Sequence, residues 1–234
     1  MSVTRRNIIK AGAAGAGALV LMPSALRAQI ADPAYRGRPD RMGDVLPPRP
    51  YASVPATPRA YADPVIDPRL VTRARQAFER HRNSLSAIDV VGIVDYSKAS
   101  NETRFYLLDT NTGRTTRHLV AHGRGSDPTH SGFLQRFSNV PGSEASSAGG
   151  YVTSQYYPGR YGRAMRVRGL DYTNSNAESR AIVVHSAWYA EPQVAQVQGR
   201  LGRSEGCFAL SYQSLQEVLA RLGPGHFLYA DRLA

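Results

Sequence analysis

Behind Asp67-Pro68, apolar residues return at helical intervals as Leu70, Ala74, Ala77, Phe78 and Leu85. That spacing predicts a helix over 68–86, with Asp67 as its N-cap and Pro68 at the first helical position. From residue 88 the period shortens to two and the content turns β-branched and aromatic. Segments 88–96, 103–109 and 115–122 therefore read as strands, with Asn111-Thr112-Gly113 turning between the last two. Further strands are expected at 150–155, 164–168, 181–185, 207–210 and 226–230. Segment 211–222 places Leu215, Val218, Leu219 and Leu222 on one helical face, and Ser214 followed by Glu217 has the form of a capping box. Short strands joined mostly by turns predict a mainly β domain, a sandwich or barrel with a few flanking helices, rather than a doubly wound α/β fold. No internal repeat points to a solenoid or propeller.

This domain, expected over 68–234, is preceded by a different kind of chain. Nine of the fifteen prolines fall between residues 33 and 68. Such a stretch sustains neither a helix nor a central strand, so 29–67 reads as an extended arm or linker. Tyr35, Tyr51 and Tyr61 offer the alternative that it lies against the domain surface. Ahead of it, Thr4-Arg5-Arg6-Asn7-Ile8-Ile9-Lys10 followed by a Gly- and Ala-rich apolar run resembles a twin-arginine export signal over 1–28. The run is too short and too small-residue-rich to predict a bilayer span.

The chain has 234 residues, 42% of them hydrophobic, which is enough for a sizeable core. Its net charge of +11 is carried almost wholly by arginine. Removing 1–28 leaves 25 basic and 18 acidic residues, or +7. No zinc-finger spacing or aromatic-interleaved basic motif supports nucleic acid as the partner, and an exported basic protein meets anionic envelope polymers first. The single cysteine, Cys207, excludes an intrachain disulfide and a multi-cysteine zinc site. His118, His122 and His130 lack carboxylates at ligand spacing, so neither metal nor cofactor is expected.

The most informative stretch is a buried-looking strand, Ala181-Ile182-Val183-Val184, ending in His185-Ser186, followed by Arg203-Ser204-Glu205-Gly206-Cys207. It supplies one base and one thiol nucleophile for acyl transfer, and Gly206 allows the backbone to approach a carbonyl closely. Neutral imidazole accepts the thiol proton, and the imidazolium then stabilises the thiolate. The residues alone leave the alternative open that Cys207 is a small core hydrophobe and His185 a hydrogen-bonded strand end.

Four stretches, 121–126, 137–143, 181–188 and 201–207, resemble the murein L,D-transpeptidase catalytic domain family, the YkuD-like group. Together they cover about residues 88–232. The family signature of a histidine, a spacer, then Ser or Thr, His, Gly and Cys is matched at His185, Ser204, Gly206 and Cys207. Glu205 stands where the second histidine is usual, and Phe208-Ala209 replaces an aliphatic residue followed by Arg or Asn. The resemblance implies a periplasmic enzyme acting on peptidoglycan stem peptides. Cys207 would attack the carbonyl of the third stem residue, release the terminal D-alanine and hold a thioester, with His185 shuttling the proton. Amides around Gly206 and Cys207 would hold the oxyanion, Ser204 would orient the loop, and the Ser186 carbonyl would orient the imidazole. An amine acceptor gives a 3→3 cross-link, whereas water gives an L,D-carboxypeptidase or endopeptidase. A non-catalytic wall-binding module is the remaining alternative. Arg203, with Arg200 and Arg124 as alternatives, and Tyr151 are candidates for binding the stem, whose carboxylates suit a guanidinium fork. Segment 143–150 is expected to be a cleft-lining loop, and Trp188 and Tyr189 a cleft wall.

Overall fold

The computed structural model describes residues 66–233; the expected export signal over 1–28 and nearly all of the expected arm over 29–67 lie outside the described residues. Helix α1, Pro68–His81, opens as the sequence predicts, with the Asp67 side chain accepting from the Arg69 amide. It stops at His81 rather than running to 86, because residues 82–84 tighten into a 3-10 turn and Leu85 is extended. Ile66, within the stretch expected as an arm, packs in the core.

Eight strands follow: β1 Val90–Asp95, β2 Phe105–Asp109, β3 Thr115–His118, β4 Gly149–Gly159, β5 Gly162–Gly169, β6 Val183–Ser186, β7 Phe208–Leu210 and β8 Phe227–Asp231. They form one mixed sheet in the order β3-β2-β1-β8-β4-β5-β6-β7. The β1–β8 and β6–β7 pairs are parallel and the others antiparallel. Beyond β3 the chain reaches the far edge, where Ala121 bridges Ala209 of β7 and Gly123 bridges Ser204. The sheet thus curls until its two edges meet, which leaves few edge groups unpaired.

Alternation along β1 explains why every one of its residues is buried. Val90 and Val94 face the interior core with Phe105, Leu107, Phe208 and Leu228, whereas Val91 and Ile93 face outward onto Leu70, Ala74 and Ala77 of α1. Helix α2, Pro192–Gln198, starts with proline and ends at Gly199 in the left-handed region. Helix α3, Tyr212–Arg221, closes the interior with Leu215, Val218 and Leu219. Its cap is Ser211, whose hydroxyl accepts from the Ser214 amide, so the expected capping box at Ser214 and Glu217 sits one turn too late. β4 and β5 extend past their expected ends into a hairpin around Arg160-Tyr161, with a bulge between Thr153 and Tyr156 absorbing the irregular alternation.

Candidate active site

His185 and Cys207 are placed by the parallel pairing of β6 and β7, in which Val184, His185 and Ser186 stand beside Phe208, Ala209 and Leu210. Cys207 immediately precedes β7, and its sulfur lies against the start of β6, at the Ala181 carbonyl and the Val183 amide, two residues before His185. β7 begins at Phe208, one residue later than expected, so the thiol sits on the turn that feeds the strand.

The His185 Nδ1–H donates to the Ser186 carbonyl at 2.8 Å. A carbonyl only accepts, so the proton is fixed on Nδ1 and the Nε2 lone pair is left for a base. Burial pulls the imidazole below its ordinary value, partly opposed by this bond. Burial also pushes the Cys207 thiol up to about 11; the Val183 amide and the Arg180 guanidinium oppose that rise and the Glu205 carboxylate adds to it. The resting pair is therefore a neutral thiol beside a neutral imidazole, not the thiolate and imidazolium that the residue types suggest. The sulfur donates to the Ala181 carbonyl at 3.7 Å, and Ala181 holds a left-handed φ of 53°. Cys207 is 3% exposed and His185 7%.

The turn before Cys207 is stitched from both sides. The Ser204 hydroxyl donates to the Cys207 carbonyl at 2.7 Å and accepts from the Gly206 amide at 3.2 Å. Ser204 thus orients the turn, and an oxyanion role for the Gly206 amide requires it to leave that hydroxyl. The Ser204 amide and carbonyl bond His122 and Arg124. Gly206 has a φ of 111°, and a Cβ there would lie 2.6 Å from the Ala145 carbonyl oxygen. Gly123 is similarly pressed, its Cβ position 2.3 Å from the Glu144 carbonyl oxygen and 2.7 Å from the Gly206 nitrogen.

Segment 143–150, expected as a cleft lining, is instead largely a buried strut against the turn before Cys207. Ala145, Ser146 and Ser147 are buried; the Ser146 hydroxyl accepts from the Gly123 amide, and the Ser146 amide donates to Ser126. Small residues suit this place because three chain segments interlock there.

A cleft of about 300 Å³ lies on one side of the turn, lined by Arg124, Trp188, Tyr189, Arg203, Ser204 and Glu205. Trp188 is 47% exposed and meets Tyr189 edge-on, as expected of a wall. On the other side His185 and Ser186 border a narrow crevice of about 10 Å³ beneath Tyr157 and Tyr161 of the β4–β5 hairpin. The cationic candidates are largely committed. Arg124 forks onto Glu144 and also bonds Glu205 at 3.0 Å. Arg203 donates to the carbonyls of Asp127 and Pro128. The Arg200 Nε is buried without a hydrogen-bond partner. Tyr151 offers a ligand nothing: it is fully buried against Phe208, and its hydroxyl donates to the Ser147 carbonyl.

The three histidines do not converge. His130 bonds the Leu201 carbonyl and His118 faces Glu217. His122, buried, accepts at Nδ1 from Arg104 and donates from Nε2 to Asp127 at 3.3 Å, and burial with the adjacent Arg104 charge drives it down to about 3. No metal-binding cluster of His, Cys, Asp or Glu occurs among the described residues. Sequence reasoning missed Arg180, a buried arginine beside Gly206, because nothing separates it by composition from its many surface counterparts.

The curled mixed sheet thus carries a buried histidine on β6 and a buried cysteine on the turn that enters the adjacent parallel strand β7. The chain belongs to the L,D-transpeptidase catalytic domain family, YkuD_2, whose profile matches residues 62–230. No curated protein matches the sequence. Similar solved structures include an L,D-transpeptidase from Mycobacterium smegmatis, at 15% identity and a TM-score of 0.37, covering 61% of this chain and 58% of that one. Another is an L,D-transpeptidase from Xylanimonas cellulosilytica, at 14% identity and a TM-score of 0.37, with 62% of each chain covered. A third is the helical cell shape determining protein Pgp2 of Campylobacter jejuni, at 14% identity and a TM-score of 0.38, with 72% of this chain and 58% of that one covered. The chain thus spans about three fifths of the length of these relatives.

Proposed function

We propose that the protein is a peptidoglycan L,D-transpeptidase with Cys207 as nucleophile and His185 as base. The observation that supports this is that the parallel pairing of β6 and β7 brings the turn carrying Cys207 to the strand carrying His185, with the imidazole tautomer fixed by Ser186 so that Nε2 is free to take a proton. As the sulfur attacks the carbonyl of the third residue of a tetrapeptide stem, its proton passes to His185 Nε2. The imidazolium returns that proton to the departing D-alanine amine, leaving a thioester. An acceptor amine then attacks the thioester carbonyl and gives its proton to His185, and the sulfur leaves and is reprotonated. The product is a 3→3 cross-link.

The raised thiol and lowered imidazole support general-base attack over a preformed ion pair, since both groups rest neutral. The cleft beside Glu205, walled by Trp188 and Tyr189, is the site of entry for a peptide chain. The twin-arginine-like N-terminus supports export to the periplasm, where peptidoglycan is met. Among the described residues no helix is long and apolar enough to cross a membrane. Incubation with a tetrapeptide-stem muropeptide tests the reading: a cross-linked dimer supports transfer, a tripeptide supports hydrolysis of the same thioester, and unchanged substrate contradicts both.

A further inference from the structure

Arg180 lies in the turn before β6 and is buried, and it is not among the residues lining the cleft beside Glu205. Its guanidinium hydrogen-bonds three groups of the strut, the carbonyls of Ser138 and Ala145 and the Ser147 hydroxyl. All three acceptors are neutral, and among the described residues Arg180 forms no salt bridge. A cation taken out of water without a carboxylate is costly, so such a site holds one at the expense of stability. The neighbour that gains from it is the nucleophile turn: a Cβ built on Gly206 would stand 3.2 Å from the Arg180 Nη2.

On the reading that Cys207 is the nucleophile, we infer that Arg180 is a positioning residue whose buried positive charge, held by the strut against Gly206, stabilises the sulfur anion formed as Cys207 gives up its proton. The other titratable groups that act on the thiol do not supply this charge. Glu205 on the turn itself is acidic, Tyr157 of β4 and Tyr96 after β1 are phenols, and His185 is neutral at rest. The interaction runs both ways, since Arg180 lowers the thiol value and Cys207 raises that of the guanidinium.

The test compares iodoacetamide alkylation of Cys207 at a fixed pH of about 8.5 in the full chain, Arg180→Gln and Arg180→Lys. Below the thiol's midpoint the rate follows the thiolate fraction, so a rise of one unit slows alkylation about tenfold. Arg180→Gln is expected to react about threefold more slowly, even if the substitution loosens the site and improves access. Arg180→Lys, which keeps the charge and loses the fork, is expected to stay within about 1.5-fold of the unaltered chain. An unchanged or faster Arg180→Gln overturns the inference, as does an Arg180→Lys slowed as much as Arg180→Gln. Should Arg180→Gln not fold, the lysine variant decides alone; failure of both to fold also overturns it, by making the arginine a strut and no more. Muropeptide acylation of the unaltered chain is scored separately. Its absence counts against Cys207 as the transpeptidase nucleophile, whereas the alkylation series speaks only to Arg180.

Discussion

Gly206→Ala is the substitution whose effect follows most directly from the geometry. A methyl at this position would lie 2.6 Å from the Ala145 carbonyl oxygen and 3.2 Å from the Arg180 Nη2, with the residue still held at a φ of 111°. The backbone strain alone is worth about 1–3 kcal/mol. The clash is with backbone of the strut, which is pinned by the Ser138–Ser146 and Arg180 bonds and cannot simply rotate aside. A total of about 3 kcal/mol follows, which lowers the melting temperature of a domain this size by about 6–12 °C. Gly113→Ala is the matched control: its φ is 69° but nothing lies within 4 Å of the added carbon, so only the backbone cost remains. Thermal unfolding of both variants, alongside muropeptide acylation of Cys207, checks the reasoning. Acylation should collapse in Gly206→Ala and persist in Gly113→Ala. If Gly206→Ala melts no lower than Gly113→Ala and is still acylated, the interlocking of turn and strut is refuted.

Three further outcomes are expected. Glu205→Gln removes a carboxylate that raises the thiol, so iodoacetamide should alkylate Cys207 several-fold faster at pH 8.5; an unchanged rate would remove Glu205 from the electrostatics of the site. His122 is driven down to about 3 when folded against an ordinary 6.5, so the unfolded chain takes up a proton that the folded one refuses. Its contribution is intact above pH 6.5 and is lost as pH falls toward 3, by up to about 1.4 kcal/mol per pH unit, and denaturant titrations of the unaltered chain and His122→Gln should show the steeper acid loss only in the former. Asp127, held below its ordinary carboxylate value chiefly by bonds from Ser131 and Gly132 that outweigh burial, adds to the loss at the acid end. Tyr151→Phe should cost about 1–2 kcal/mol in denaturant unfolding by orphaning the Ser147 carbonyl, while leaving the muropeptide KM unchanged; a raised KM would restore Tyr151 to the binding surface.

Much of the fold is legible in the hydrophobic pattern because burial there is periodic. Leu70, Ala74 and Ala77 mark one face of α1, and the alternation of β1 sorts its residues between two cores. Helix α2 went unread although Pro192 and Gly199 bracket it, since seven residues carry too little amphipathic signal. Boundaries moved where a neighbouring element competes: Ser211 caps α3 because β7 ends one residue earlier.

The proposal that His185 and Cys207 act together rests on signature residues at fixed spacing in the chain. Their protonation is not legible there, since burial decides it and burial is a property of the assembled sheet. The partners of Arg124 and Arg203 are hidden for the same reason, because Glu144, Asp127 and Pro128 come from distant loops. Segment 143–150 is expected to line a cleft, yet its small side chains are what let three backbones meet at Gly206.

The central claim is that Cys207 becomes acylated by a wall peptide with His185 as its base. Intact-mass spectrometry of the protein after brief exposure to a tetrapeptide-stem muropeptide tests it most directly. The account predicts an adduct equal to the muropeptide less D-alanine, located on Cys207, absent in Cys207→Ala and formed roughly a hundredfold or more slowly in His185→Ala. An unmodified Cys207 after prolonged exposure, or an adduct that forms as fast without His185, would contradict it.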